Sequence, residues 1–187
     1  MKKIFFISTL IFVFVLSVIA QDDKNEEKMI TAAAKGEYSK VVSMIKKGTD
    51  INAKNRSRWS ALAYACKYGH GNIVKYLVEH GADIDQTVNV GSTPLQVSLN
   101  KNYYNIADYL IRNGADVNIP DITGMSALAW AAKGGDLKTV KYLVDKGANV
   151  NSKNVSSRTV LDTTIDPKVK QYLKTVGAKT GKELMES

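Results

Sequence analysis

With one cysteine, two histidines and no run of five consecutive basic residues, the 187-residue chain lacks the raw material of several function classes. A lone Cys66 cannot close a disulfide within the chain, so any exported form must hold its core together without covalent staples. Neither His70 nor His80 has a second ligand type at metal-binding spacing, and one thiol makes no zinc site. The serines near His70 sit at caps and in loops, so spacing gives no Ser-His-Asp set. Gly69-His70-Gly71 and Gly134-Gly135 are turn glycines, and no Gly-rich loop is followed by Lys-Ser/Thr to cradle phosphate. No catalytic residue, cofactor or metal is therefore expected.

Long apolar runs are also scarce: one exists, over residues 4–19. It follows Met1-Lys2-Lys3 and precedes Val18-Ile19-Ala20 and a polar stretch, the layout of a secretory signal peptide, with cleavage expected after Ala20. At 16 residues it is shorter than the ~20 needed to span a bilayer, although an uncleaved anchor is the alternative. Gln21 is not the cysteine that a lipid-anchored leader requires. With the leader removed, the formal charge falls from +8 to +6, because Lys2 and Lys3 leave and no acid does. That excess is scattered in pairs such as Lys46-Lys47 and Lys168 with Lys170. It argues against a nucleic-acid patch and for a solvated face that favours an acidic partner.

Against these absences stands a period. Gly48-Thr49-Asp50, Gly81-Ala82-Asp83, Gly114-Ala115-Asp116 and Gly147-Ala148-Asn149 recur every 33 residues, and Gly177-Ala178-Lys179 follows 30 later. In step with them come Ser60-Ala61-Leu62, Thr93-Pro94-Leu95, Ser126-Ala127-Leu128 and Thr159-Val160-Leu161. The hydroxyls suit N-caps of a first helix, and Pro94 suits its first turn. Gly69, Asn102 and Gly134 lie where that helix must turn back. A second helix then carries an apolar stripe, as in Ile73, Val74, Leu77 and Val78, closed by Gly81, Gly114 or Gly147. Small residues recur at Ala32, Ala65, Ser98 and Ala131, where neighbouring first helices can approach closely. Cys66, beside that column, reads as a small buried residue.

Thr93-Pro94-Leu95, Gly69-His70 and the Gly-Ala-Asp endings resemble the ankyrin repeat over about residues 26–180. The resemblance implies an all-α repeat solenoid of stacked helix-turn-helix repeats with β-hairpin fingers, an L-shaped section and a concave face. On that reading residues 1–20 are the signal peptide and 21–25 a polar leader. The repeats are about 26–54, 55–87, 88–120, 121–153 and 154–181, with 182–187 a loose tail. The first and last act as caps, the last three residues short because Asp166-Pro167 starts its final helix early. Two departures stand out. Arg58 replaces a turn Gly, and the family's His after Thr-Pro-Leu is Ala63, Gln96, Ala129 and Asp162, which predicts loss of its cross-repeat hydrogen bond.

The resemblance further implies a binding module that works through finger tips and the outer side of first helices. Carried over by position, the candidates are Arg56 and Trp59, Asn89, Val90 and Ser92, Ile122, Thr123 and Met125, and Arg158 on fingers. Lys67, Tyr68, Lys101 and Lys133 complete them on helices. Trp59, in a polar turn, reads either as an interface anchor or as packed on a neighbouring finger, and Trp130 reads as core. Tyr76, Tyr109, Tyr142 and Tyr172 read as packing between second helices. The partner expected is another protein, met by a monomer in the periplasm or outside the cell, and a Lys-Lys leader without disulfides favours a bacterial envelope. Alternatives are an inhibitor or immunity protein for an exported toxin or hydrolase, and a membrane-tethered scaffold should the leader stay.

Overall fold

A computed structural model describes residues 21–186, so the leader assigned to residues 1–20 lies outside the described residues. Ten helices follow in pairs. The first members are α1 over residues 21–35, α3 (Ala61–Tyr68), α5 (Pro94–Asn100), α7 (Ala127–Gly134) and α9 (Val160–Thr163). The second members are α2 (Tyr38–Lys46), α4 (Gly71–Glu79), α6 (Tyr104–Arg112), α8 (Leu137–Asp145) and α10 (Pro167–Thr175). Residues 21–25, set apart above as a polar leader, are helical and form the start of α1. No helix among the described residues is long and apolar enough to cross a membrane.

Caps explain where the first helices begin. Ser60, Thr93 and Ser126 each accept the amide N–H three residues on, at 3.2, 3.3 and 3.3 Å. They end in left-handed residues at Gly69 (φ 76°), Asn102 (φ 60°) and Gly135 (φ 74°). The third of these corrects the sequence reading: Gly134 is the last residue of α7, and Gly135 makes the turn.

Neighbouring first helices stack closely because their contact column is small. Ala32, Ala65, Ser98 and Ala131 are all 0 % exposed, and Cys66 lies among them equally buried. Leu62, Leu95, Leu128 and Leu161 from first helices meet Leu77, Leu110, Leu143 and Leu173 from second helices in one continuous core. Each such side chain, fully buried, contributes roughly 1.5–3 kcal/mol. The tyrosine column fills the seams between second helices, as expected: Arg112 lies 5.9 Å from the Tyr142 ring and Lys141 5.4 Å from Tyr172, each reaching into the next repeat.

A further ladder ties repeat to repeat. Side-chain oxygens of Asn52, Asp85, Asn118 and Asn151 accept the amides of Asp83 (2.8 Å), Asp116 (3.1 Å), Asn149 (2.9 Å) and Lys179 (2.8 Å). The recurring acids Asp50, Asp83 and Asp116 are structural, each accepting the N–H two residues on in an Asx turn. The missing family His is replaced at one place. The Gln96 amide donates to Ile119 O (2.7 Å) and Met125 O (2.9 Å), so a cross-repeat bond survives there, contrary to the expectation above. At the other end Asp162 accepts Thr159 N–H and Gly181 N–H, 2.9 and 2.8 Å. Burial pushes its carboxyl up, but those donors and Arg158 outweigh this and hold it below the usual range.

The fingers are tighter than hairpins of extended strands. In each a five-residue loop is closed by one backbone bond: Asn55 N to Trp59 O, Val88 N to Ser92 O, Asp121 N to Met125 O and Asn154 N to Arg158 O. Only single antiparallel bridges, Lys54 with Ser60 and Lys153 with Thr159, represent β-structure among the described residues. The turn residue is left-handed in all four, at Arg58, Gly91, Gly124 and Ser157. Fingers two, three and four are joined by Ile122 N to Val90 O (3.2 Å) and Val155 N to Thr123 O (2.9 Å). The corresponding bond between fingers one and two is absent among the described residues. Residues 182–185 are not loose: Glu183 accepts from Thr180 at 2.6 Å, capping a turn in which Leu184 N reaches Thr180 O.

Candidate functional site

Two columns of the repeat decide the shape of the finger-bearing face. The residue before each first-helix cap is Trp59, Ser92, Met125 and Arg158, and the fourth helical residue of α3, α5 and α7 is Tyr64, Val97 and Trp130. The repeat at 88–120 thus carries two small side chains between neighbours that carry large ones. The result is a dent of about 210 Å³ with Trp59 and Trp130 as walls, Val88 and Val97 in its base, and Val90, Ser92, Asn100, Lys67 and Lys101 around it.

The walls are held from below. Trp59 packs on the Tyr64 ring, centroids 4.9 Å apart, and its backbone N–H is fixed by Asn55 Oδ1 at 2.9 Å. Lys67 Nζ lies over that aromatic group, 4.7 Å from Trp59, 5.6 Å from Tyr64 and 5.4 Å from Tyr68. Trp130 donates its indole N–H to Asp121 Oδ2 (3.2 Å), and Lys133 Nζ stands 4.8 Å from its ring. The Asp121 carboxylate is fully engaged, since Oδ1 accepts from Thr123 and Met125. Base polarity is spent too, with the Gln96 amide bonded to the next finger.

Of the thirteen sequence candidates, the dent gathers Trp59, Lys67, Val90, Ser92 and Lys101. Tyr68 and Lys133 flank it, Tyr68 stacked on Tyr64 at 6.1 Å with 2° between ring planes. Asn89, Thr123 and Ile122 are exposed at finger tips, Ile122 66 % so. Three positions lie apart from the dent. Met125 packs against the core; Arg158 Nη2 is bonded to Asp162 O at 2.9 Å; Arg56 faces α1 across a separate hollow with Asp23, Glu26 and Glu27. That hollow, about 900 Å³, is lined from α1 by Asp23, Glu26 and Glu27 together with Lys24 and Lys28, and from the finger by Lys54 and Arg56. Glu26, beside it, has its carboxyl pushed up by burial and by Asp50, Asp23 and Asp22. Trp130 packs against the core, as expected, and its half-buried ring also walls the dent. A single clue could have found it: Val97 one repeat earlier in the same column.

Both histidines sit in structural contacts. His70 Nε2 meets Ala34 O at 3.1 Å and its ring covers Gly36, while His80 stacks on Tyr76 with centroids 3.8 Å apart. Burial pushes the Cys66 thiol well up, leaving it protonated and inert.

Comparisons with known proteins agree with the repeat geometry. Ankyrin repeat domain-containing protein 40 of Mus musculus is 32% identical over 65 residues, 34% of this chain and 18% of that protein. The Homo sapiens protein of the same name is 31% identical over 65 residues, with the same coverage of 34% and 18%. A probable E3 ubiquitin-protein ligase of Oryza sativa subsp. japonica, XBOS33, is 40% identical over 47 residues, 25% of this chain and 9% of that one. The chain thus matches less than a fifth of the length of these relatives. The family described as Ankyrin repeats (3 copies) matches residues 28–121 and 89–154, well over half of the sequence. On the period, the caps, the inter-repeat ladders and this match, the chain belongs to the ankyrin repeat family.

Proposed function

We propose that this chain is an exported, monomeric module that binds another protein through the dent between Trp59 and Trp130 and the adjoining finger tips. Ankyrin repeats mediate protein–protein contacts and are typically scaffolds without catalysis. The observation that carries the reading is the pair of half-buried tryptophans that wall the dent beside lysines with no ion-pair partner among the described residues. Trp and Tyr presented this way are the types that dominate interface energetics. Support for export comes from the basic–apolar–small pattern of residues 1–20, and the absence of a cysteine pair is consistent with a core built to hold unaided in the periplasm or outside the cell.

Two measurements test this. Mass spectrometry of the protein from its native source should find Gln21 as the first residue; an intact Met1 would turn the module into a tethered scaffold. A photo-crosslinking amino acid at Val90 should trap a partner that the same group at Lys75, on the exposed side of α4, does not. Equal trapping at both positions overturns the assignment of the face. A partner that is an enzyme and loses activity on binding identifies the module as an inhibitor.

A further inference from the structure

We infer that the dent takes an acidic segment of the partner, with one bulky apolar side chain seated between Trp59 and Trp130 and carboxylates held by Lys67, Lys101 and Lys133; this rests on the protein-binding reading above. Size comes first. At about 210 Å³ the dent falls below the roughly 300–1,000 Å³ of small-molecule sites, and it suits a single large side chain. Its walls are aromatic and its base is valine, so that side chain is apolar.

Charge sets the flanks. No acidic residue lines the dent. The ion pairs among the described residues join Lys40 to Glu37, Lys75 to Glu79, Arg112 to Asp108 and Lys182 to Glu186, and none involves the three lysines of this face. The Asp121 carboxylate, which accepts the Trp130 indole N–H, is otherwise occupied by three donors of its own finger. Lys67 and Lys133 rest on aromatic faces that hold them in place while leaving ammonium protons free. Three lysines round one side-chain-sized dent, with no basic track leading away, fit a polypeptide better than a nucleic-acid strand, which needs a charged groove along its backbone.

Display of random peptides against the full chain tests the idea, read out by tryptophan emission. Trp59 and Trp130 are the two tryptophans of the sequence, so emission reports occupancy of this dent. Selected peptides should carry net negative charge about a Phe, Trp, Leu or Met, and should shift the emission on binding. Lys67→Glu with Lys101→Glu should weaken them at least tenfold at low salt, with the difference collapsing in 1 M salt, where the Debye length is ~3 Å. Trp59→Ala should weaken them roughly thirtyfold, the loss expected of an anchor. Trp130→Phe, which keeps the wall, should cost little, and thermal melts of each variant separate lost binding from lost fold. Basic or neutral peptides, or acidic peptides indifferent to both sets of variants, overturn the inference while leaving protein binding intact. An equal emission shift with oligodeoxythymidylate overturns it in favour of nucleic acid. Failure to select any peptide overturns the inference alone, since crosslinking at Val90 tests protein binding separately.

Discussion

Replacing Asp85 by Asn should stabilise the protein, and the repeat itself supplies the reason. Asp85 occupies a column that is otherwise Asn52, Asn118 and Asn151. Its carboxylate performs the shared task of accepting the next repeat's amide, at 3.1 and 3.2 Å from Asp116 N. An amide adds a donor: Asn118 Nδ2 reaches Gly147 O at 3.1 Å and Asn151 Nδ2 reaches Gly177 O at 3.2 Å. The equivalent carbonyl for position 85 is Gly114 O, one period earlier. One such bond nets about 0.5–1.5 kcal/mol. The charge adds to this, because burial pushes the Asp85 carboxyl up, and Asp116 and Asp83 push it further, against the Asp116 N–H. For a partly exposed group that share stays below about 1 kcal/mol. The total is roughly 1–2 kcal/mol, or about 3–6 °C in Tm for a domain of this size. The sign with pH follows from linkage. A carboxyl raised in the folded state favours folding while protonated, below its unfolded value, and that advantage is lost as pH rises through the folded value. The gain from Asp85→Asn should therefore be largest at pH 7 and shrink towards its hydrogen-bond share near pH 4. Urea melts at the two pH values decide: a midpoint at pH 7 unchanged or lowered would falsify the argument, and a gain that does not shrink removes its electrostatic half.

Gly69→Ala and Gly48→Ala share a left-handed backbone but differ in surroundings. The first places a methyl 2.8 Å from the Tyr103 ring and should cost at least about 2 kcal/mol, whereas the second meets nothing within 4 Å and should cost about 1 kcal/mol; equal urea midpoints would remove the packing share. Arg58, at φ 61°, should accept Gly with a gain of about 0.5–1 kcal/mol, measured the same way. Cys66 should resist iodoacetamide at pH 8 until denaturant is added; labelling of the native protein at the rate of a free thiol contradicts its burial.

The architecture was legible because each of its devices is local and repeated. A Ser or Thr cap, a turn glycine and a small contact residue leave the same mark every 33 positions, and four copies of each average out the exceptions. What escaped was pairwise. Gly134 and Gly135 are adjacent, and only the backbone tells which one turns left-handed. Gln96 took over a cross-repeat bond because its amide can reach two carbonyls at once, a matter of reach that its place in a list of missing histidines hid. Trp130 shares a column with Tyr64 and packs on the core, yet the face it turns to the dent is decided by Val97 and Ser92 in the repeat before it. A site made of a size difference between neighbours is invisible one repeat at a time.

The backbone bonds that join fingers two, three and four, and stop short of finger one, give the dent unequal jaws. The Trp130 side belongs to a braced row, fixed through Val90 and Ile122; the Trp59 side leans on its own helix and a lysine stem. Under the acidic-segment proposal, Trp59 is thus the wall with fewer ties to give up, held by one stacking contact and one lysine, while Trp130 stands as the anvil.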